Sequence, residues 1–219
     1  MTAARRPTIA VLDYGIGNLH SAHKALEHVG ADAVLTTDAG LIAEADGVVL
    51  PGVGAFGACM DALRAAGLER PALDAVASGR PFLGICVGMQ MLFDGSEETP
   101  NVRGLGVIPG TVRWIPPGVK RPQMQWNRLL VDRADPMLEG LDGDAWVYFV
   151  HSLHGVPHDP ATVVARCEYG GSLNAAFRRG NVFAAQFHPE KSSRSGLRLL
   201  GNFVEHCATA SASTTEVTV

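Results

Sequence analysis

The sequence lacks an excess of basic charge and any clustering of its basic residues. Acidic residues outnumber basic ones by 22 to 18, and the formal net charge is −4. Because the basic residues are scattered as short pairs such as Arg178-Arg179, they form no stripe that would attract nucleic acid or an anionic membrane surface. We therefore expect no nucleic-acid partner.

Long hydrophobic runs are missing as well. The most apolar stretch, GVVLPGVGAFGACM, is broken by Pro51 and four glycines, so it is too short and too interrupted to cross a bilayer. Near the N-terminus, the apolar run TIAVL stops at Asp13, whereas a secretory signal core needs roughly 7–15 apolar residues. These features predict a cytoplasmic protein with no membrane partner.

The sequence has few cysteines and no CxxC motif. Its four cysteines are widely spaced, so free thiols are expected in a reducing compartment. Three of them take the places of ordinary core residues in predicted helices or strands: Cys59, Cys167 and Cys207. Only Cys86 has unusual neighbours.

Signals for a metal or a cofactor are also missing. His20 and His23 are three positions apart on a predicted helix, but no third ligand is suggested nearby. The segment DYGIGN offers Gly-x-Gly after a strand, yet His20 stands where a dinucleotide fingerprint needs its third glycine. No phosphate-binding loop with Lys-Ser/Thr occurs. We expect no metal and no cofactor.

What the chain does contain is enough apolar sequence for a full core, since 47% of its residues are hydrophobic and 18% are charged. Up to about residue 100, apolar strands alternate with amphipathic helices, which predicts a parallel sheet with helices on both faces. Beyond it, short β-like runs between Gly, Pro and Asp turns predict added antiparallel strands before a final helix. We expect one α/β domain over residues 8–207, with disordered tails at 1–7 and 208–219.

Cys86 lies in GICVGMQ, between a predicted strand and a predicted helix, GMQMLF. A nucleophile on a sharp strand-to-helix turn needs small neighbours, which Gly84 and Gly88 supply. The helix N-terminus would favour a thiolate, and the N–H of Val87 would face the group under attack. A buried cysteine in a Gly-rich strand end has the same pattern. The motif alone leaves both interpretations open.

A second Gly-rich segment, LPGVGAF, follows another predicted strand. Gly52 and Gly54 would let backbone N–H groups approach a ligand closely, as the second half of an oxyanion hole requires. An ordinary βα loop also uses glycine and proline, so this segment by itself is weak evidence.

A cysteine nucleophile needs a base and a group that orients the base. His188 in AAQFHPEKS follows an apolar strand, and Glu190 stands two residues further on, where a carboxylate can hold the ring. A His-Pro turn with a solvated glutamate would look the same. His151 in YFVHS also ends a predicted strand and is the competing candidate for the base.

Taken together, GICVGMQMLF and QFHPEKS resemble the class I (triad) glutamine amidotransferases, with a flavodoxin-like α/β fold. With DYGIGNLHS, LPGVGAFGACM and YFVHS included, the resemblance covers residues 8 to about 207. Together these motifs resemble one branch of the family, the glutaminase subunits of imidazole glycerol phosphate synthases. This resemblance implies hydrolysis of L-glutamine for L-histidine biosynthesis.

The resemblance also implies a role for each matching residue. Cys86 would be the nucleophile, His188 the proton carrier and Glu190 the residue that orients the imidazole. The remaining residues would form the oxyanion hole, namely Val53, Gly54 and Val87, or hold the glutamine, namely Gly52, Gln90, Glu98 and Ser152.

The implied partner is a cyclase subunit, a (β/α)8 barrel that receives ammonia in a heterodimer. Its interface would include four residues of this chain: Met124, Trp126, Asn127 and Lys191. The chain departs from the family pattern in two places. Gln123 and Gln125 in QMQWN replace the His and Gly of HMGWN, and Leu153 stands where an aromatic residue is common.

Three other functions fit some of these features. The chain could supply ammonia to another synthase, such as that of anthranilate or pyridoxal phosphate, and activation by the matching partner would reveal this. It could be a free-standing hydrolase of γ-glutamyl compounds, which would be active alone. It could be a non-catalytic module of the same fold, in which Cys86→Ala would change nothing.

Overall fold

The computed structural model describes residues 5–141 and 143–215. Its helices are α1 (Leu19–His28), α2 (Ala39–Glu44), α3 (Phe56–Ala65), α4 (Glu69–Ala77), α5 (Val87–Met91) and α6 (Ser193–Thr215). Its strands are β1 (Thr8–Leu12), β2 (Asp32–Thr36), β3 (Gly47–Gly52), β4 (Phe82–Cys86), β5 (Phe93–Ser96), β6 (Ile108–Trp114), β7 (Gln123–Arg128), β8 (Leu130–Val131), β9 (Trp146–His151), β10 (Leu153–Pro157), β11 (Val163–Glu168), β12 (Ser172–Arg179) and β13 (Val182–Ala185).

The central sheet has eight strands in the order β2-β1-β3-β4-β13-β12-β11-β8. The first five strands pair in parallel, and the last three continue the sheet by antiparallel pairing. Helix α1 packs against α6, and α2 packs against α4, as expected for helices on both faces of such a sheet. The predicted fold class, a parallel-core mixed sheet extended by antiparallel strands, is confirmed.

Local sequence explains how β13 enters the parallel part of the sheet. The two residues between β12 and β13 are Gly180 and Asn181, and Gly180 has a φ of 56°. A two-residue hairpin of this kind requires positive φ, which glycine adopts without steric cost. The hairpin returns the chain into the sheet beside β4, with Ala185 opposite Ile85.

Two smaller sheets stand beside the central one. Strands β10, β6 and β5 form one of them, and β7 pairs with β9 antiparallel in the other. Strand β9 also contacts α6 and the 3-10 turn at Pro189–Lys191. The β7–β9 ribbon therefore lies next to the end of β13.

Some elements differ from the sequence-based expectation. The helix after Cys86 ends at Met91, and Phe93 already begins β5. Leu92 and Phe93 are both buried, and Phe93 pairs with Ile108 of β6, so packing in the second sheet overrides helical continuation.

The expected tails are also shorter than predicted. Arg5 forms an ion pair of 2.7 Å with Asp46, and Pro7 is buried at the start of β1. Helix α6 continues to Thr215, because its alanine- and serine-rich end holds no glycine or proline to stop it. Residues 1–4 and 216–219 of the two tails lie outside the described residues. In the described part of the chain, no helix combines the length and the apolar character needed to cross a membrane.

Candidate active site

The carboxyl ends of adjacent parallel strands bring Cys86 and His188 to one edge of the sheet. Cys86 is the last residue of β4 and stands opposite Gly52, the last residue of β3. His188 follows shortly after Ala185, where β13 ends beside β4. Ligands of open α/β sheets bind at this edge, so the position suits a catalytic site.

Cys86 lies on a strained turn. Its φ is +54° and its ψ is −113°, an unusual backbone conformation for a residue with a side chain. A Cβ on Gly88 would overlap the Leu50 carbonyl, and one on Gly84 would lie 3.0 Å from the Met89 Cα. Glycine is therefore required on both sides of the cysteine, as a nucleophile elbow demands. This geometry favours the elbow over an ordinary buried strand end.

His188 is held by a carboxylate. Its Nδ1–H donates to Glu190 Oε1 at 2.8 Å, and the Asn18 amide donates to the same oxygen at 3.2 Å. Burial opposes the charged imidazole, but interaction with Cys86 and Glu190 outweighs burial and raises the pKa of His188 above its usual value. A protonated imidazole beside a thiol is the environment in which cysteine nucleophiles react as thiolates.

The backbone of His188 is fixed from the β7–β9 ribbon. The His188 N–H donates to the Tyr148 carbonyl at 3.0 Å. The Ser192 hydroxyl donates to the His188 carbonyl at 2.6 Å and accepts from the Tyr148 N–H at 2.9 Å. Because Nδ1 is bonded to Glu190, the ring atom that remains for proton transfer is Nε2, which is buried and has no hydrogen-bond partner among the described residues.

His151, the competing base, has a different environment. Its Nδ1 bonds the Leu153 carbonyl at 2.7 Å, and its Nε2 lies 2.9 Å from the Oε1 position of the Gln123 amide. Burial lowers the pKa of His151 to about 4, so the ring is neutral near pH 7. With both nitrogens engaged, His151 suits a structural role better than that of the base.

The Val53-Gly54 turn follows β3 directly. The Val53 carbonyl accepts from the Cys59 thiol at 3.2 Å, and Gly54 has a φ of +90°, which glycine adopts easily. Glu98 accepts from the Phe56 N–H at 2.7 Å and so caps α3, which begins at this turn. The turn is thereby held by side chains on both sides.

A cavity of about 530 Å³ opens beside Cys86. It is lined by most of the predicted site residues: Val53, Gly54, Cys86, Val87, Gln90, Glu98, Ser152, His188 and Lys191. Of the predicted catalytic, oxyanion-hole and substrate residues, only Gly52 and Glu190 do not line it, and of the predicted interface residues only Lys191 does. Gly52 is packed beneath the elbow, where a Cβ would overlap Gly88, and Glu190 is buried behind His188.

The predicted interface residues do not share one face. Met124 and Trp126 are 61% and 44% exposed on the outer face of β7. Asn127 points to the opposite face, where its amide donates to the Glu168 carbonyl at 2.9 Å. Lys191 is exposed at the rim of the cavity. Trp146, which no sequence motif singled out, is opposite Arg128 and 45% exposed.

Two further residues near the nucleophile were not singled out from the sequence. Asn18 in DYGIGN bonds Glu190, and the Gln186 amide lies 3.8 Å from the Cys86 sulfur. Both stand inside the motifs DYGIGN and AAQFHPEKS, but only the fold brings Asn18 to Glu190 and Gln186 to Cys86. No group of three His, Cys, Asp or Glu side chains within the described ranges could hold a metal ion.

A larger, open groove of about 860 Å³ lies between Trp126, Trp146 and the start of α6. Its size does not make it the reaction site, because Cys86, His188 and Glu190 are all absent from its lining. The smaller cavity is the one that combines a strained cysteine with a carboxylate-held histidine.

Comparison with known proteins identifies the family of this chain. The glutamine amidotransferase class-I family model matches residues 10–207. Proteins named imidazole glycerol phosphate synthase subunit HisH are similar over nearly their whole length. The one from Syntrophotalea carbinolica is 50% identical, covering 89% of this chain and 98% of the relative, and that from Methanothermobacter thermautotrophicus is 49% identical, covering 90% and 98%.

Solved structures agree on the fold. The crystal structure of a glutamine amidotransferase is 24% identical, covers 91% of this chain and 98% of its own, and has a TM-score of 0.72. The structure of PurLQS from Thermotoga maritima is 20% identical, covers 92% and 99%, and also has a TM-score of 0.72. The chain belongs to the class-I glutamine amidotransferases and, within them, to the imidazole glycerol phosphate synthase subunit HisH family.

Proposed function

We propose that this chain is the glutaminase subunit of an imidazole glycerol phosphate synthase and works in the cytoplasm. It hydrolyses L-glutamine to glutamate and ammonia, and ammonia passes to a separate cyclase subunit in a heterodimer. The observation that carries the proposal is Cys86 on a strained elbow beside the His188–Glu190 pair, in a chain about half identical to HisH proteins.

The first half of the reaction would form a thioester. The Cys86 thiolate attacks the side-chain amide carbon of glutamine, and the carbonyl oxygen becomes an oxyanion. The N–H of Val87 has no intrahelical partner, since Val87 is the first residue of α5, and with the Gly54 N–H it would receive that oxyanion. The His188 imidazolium then donates a proton to the departing nitrogen, which leaves as ammonia.

The second half would return the enzyme to its starting state. The neutral His188 takes a proton from water, and the resulting hydroxide attacks the thioester. Cleavage of the C–S bond releases glutamate and restores the Cys86 thiolate beside the imidazolium. Glu190 keeps the ring oriented throughout, because it binds Nδ1 and leaves Nε2 for both transfers.

Glutamine would occupy the cavity next to Cys86. Gln90, Glu98 and the backbone around Ser152 line this cavity and would hold the substrate. Glu98 already accepts a backbone hydrogen bond from Phe56, so a bound substrate would share a carboxylate that also holds the Val53-Gly54 turn. Substrate binding and the oxyanion turn would thus be linked through Glu98.

The cyclase, a (β/α)8 barrel, would cover the face that carries Met124 and Trp126. Val150, opposite Met124, also lines the cavity, so a partner on this face would border the site directly. Ammonia released into water is lost or protonated near neutral pH, which makes a covered exit necessary. In the cyclase, ammonia would join a phosphoribulosyl-formimino-AICAR phosphate and give imidazole glycerol phosphate and AICAR. Lys191 would suit an ion pair with the partner.

The decisive experiment measures glutamine hydrolysis by the full chain alone, and then with the cyclase subunit and its nucleotide ligand. Cys86→Ala is the test variant. Cys207→Ala is its matched control, since Cys207 is another buried cysteine and packs against Gly47, away from the cavity. We expect low activity alone, a sharp rise with the cyclase and its ligand, and loss of activity only in Cys86→Ala.

Other outcomes point to the alternatives. High activity that ignores the cyclase would indicate a free-standing hydrolase. Activation by a different synthase would move the chain to another pathway. Wild-type behaviour of Cys86→Ala would remove the nucleophile from the proposal.

A further inference from the structure

Gln123, the first residue of β7, is buried behind the cavity wall rather than exposed like its neighbours. Its side chain is 0% exposed, while Met124 next to it is 61% exposed. In the antiparallel β7–β9 ribbon it stands directly opposite His151, the last residue of β9. The Gln123 Oε1 position lies 2.9 Å from His151 Nε2, so a buried amide meets a buried imidazole.

The other side of the His151 ring closes the turn between β9 and β10. Its Nδ1 lies 2.7 Å from the carbonyl oxygen of Leu153, two residues further along the chain. Ser152, between them, gives its own carbonyl to the Ile115 N–H at 2.9 Å. Residues 151–153 all line the cavity beside Cys86. The orientation of the imidazole therefore helps to fix the shape of that wall.

The hydrogen-bond chemistry defines how the amide faces the ring. A carbonyl can only accept, so the Leu153 oxygen places a proton on Nδ1. In the neutral ring Nε2 is then an acceptor, and Gln123 must present its N–H₂ group. Exchange of the amide oxygen and nitrogen leaves the side-chain shape unchanged and gives a partner to the buried Gln123 nitrogen, which otherwise has none. The exchange gives up only the long contact of the amide oxygen with the Cys167 thiol, at 4.0 Å.

The turn also meets side chains that reach the nucleophile. The Gln90 amide lies 3.5 Å from the Leu153 carbonyl and donates to Gln186 Oε1 at 3.1 Å. The Gln186 nitrogen in turn lies 3.8 Å from the Cys86 sulfur. Gln123 itself does not line the cavity. Its side chain contacts the Cys167 thiol at 4.0 Å, which does not line the cavity, and His151, which does, so the side-chain contact that links Gln123 to the cavity wall is the one with His151.

We propose that Gln123 is a positioning residue: its amide clamps His151, and the clamped ring holds the Ser152 segment in the shape that receives glutamine. The inference rests on the proposed function, since it takes glutamine as the substrate of this cavity. Because Cys86, His188 and Glu190 do not contact Gln123, loss of the clamp should weaken glutamine binding and leave the chemical steps almost unchanged.

The test uses Gln123→Met in the complex with the cyclase subunit, because methionine is also unbranched and removes only the amide. We expect the KM for glutamine to rise about tenfold, as for one lost buried hydrogen bond, with kcat within about twofold of wild type. Gln123→Asn keeps an amide on a side chain that is too short to reach the ring. It should show the same rise in KM, and it replaces Gln123→Met as the test variant if that protein fails to fold. Gln123→His offers a ring N–H and should restore most of the affinity.

Gln125→Met is the matched control, since it makes the same change on an exposed residue of the same strand. All variants are compared with this control as full chains without the cyclase. The measurement is inactivation by 6-diazo-5-oxo-L-norleucine, an electrophilic glutamine analogue. The Gln123 variants should weaken the reversible binding step for this analogue, and Gln125→Met should not. Alkylation of Cys86 by iodoacetamide should proceed at the wild-type rate in all of them.

Nitrogen NMR of the His151 imidazole tests the hydrogen bond to Gln123 directly, separately from any general effect of the substitution on stability. Wild-type protein should show the Nδ1–H tautomer with a hydrogen-bonded Nε2, and Gln123→Met should shift the Nε2 resonance toward that of a free imine nitrogen. A folded Gln123→Met protein with wild-type KM, or one that loses kcat at unchanged KM, would overturn the inference. Wild-type protein that binds no glutamine would overturn its substrate part together with the proposed function, while an unaltered Nε2 resonance in Gln123→Met would overturn the clamp alone.

Discussion

Two walls of the same cavity each present a histidine at the end of a strand, yet the two rings have opposite character. His188, after β13, has a carboxylate on Nδ1 and a raised pKa. His151, at the end of β9, has a carbonyl on Nδ1 and an amide on Nε2, and its pKa falls to about 4. The partners of the ring, rather than its position at a strand end, distinguish the proposed proton carrier from the proposed structural residue.

Removing each ring in turn should give the largest difference in kcat between the two histidines. His188→Asn deletes the proton carrier, so kcat for glutamine hydrolysis in the complex should fall by about 10³-fold or more. His151→Gln should keep kcat within about tenfold and act mainly on KM. Steady-state kinetics of both variants, with thermal unfolding to verify folding, measure the difference. Equal losses of kcat would show that the two rings share the catalytic work.

The next largest effect should come from the partner of His188. Glu190→Gln keeps the shape but removes the negative charge, so kcat should fall by about 10²-fold. Because the carboxylate raises the pKa of His188, the alkaline limb of the pH–rate profile should also move to lower pH. An unchanged pH profile in Glu190→Gln would contradict the assigned role.

The two rings should contribute to the pH dependence of the free energy of unfolding with opposite signs. The pKa of His151 is about 4 in the folded protein and 6.5 for an imidazole exposed to water, as in the unfolded chain, so the unfolded chain binds more protons between these values. Its contribution makes the free energy of unfolding fall as pH drops from 6.5 toward 4, by roughly 1.4 kcal/mol per pH unit at most. His188 is raised, so its contribution is present below pH 6.5 and is lost as pH rises through its folded pKa.

Urea unfolding of His151→Gln and His188→Gln across the pH range checks this. The His151 variant should flatten the acid side of the stability profile, and the His188 variant should flatten the alkaline side. The same acid slope in wild type and His151→Gln would mean that folding does not lower the pKa of His151.

The smallest effect is expected from Asn18. Its amide donates to the Glu190 oxygen that also accepts from His188, at 3.2 Å. Asn18→Ala should lower kcat by about fivefold, since one hydrogen bond to a carboxylate is lost while the His188–Glu190 contact of 2.8 Å remains. His151 does not contact Glu190, so the pKa of His151 should stay the same, and NMR titration of both rings would verify this. A loss as large as that of Glu190→Gln would place Asn18 among the residues essential for catalysis.

Much of this site could be predicted from short motifs. Gly84 and Gly88 around Cys86 indicated an elbow, and His188 with Glu190 indicated a base and its orienting group, because these signals depend on residues close in sequence. Period-two alternation along β7 also separates Met124 and Trp126 from Asn127, so the opposite direction of Asn127 was open to prediction.

Other features depend on contacts between distant segments. Asn18 reaches Glu190 across 172 positions, and Gln186 reaches Cys86 across 100, so no local pattern signals either contact. The end of α5 at Met91 is likewise decided by the pairing of Phe93 with Ile108 in another sheet.

The sequence by itself determined the alternation of strands and helices, the glycines that permit the turn at Cys86, and the chemical groups available for thioester chemistry. These are local properties of backbone freedom, periodicity and side-chain type. Only the tertiary structure decided which histidine faces the nucleophile and which is clamped by Gln123. The charge state of an imidazole depends on burial and on partners that come from other strands, and those partners meet only when the sheet is assembled.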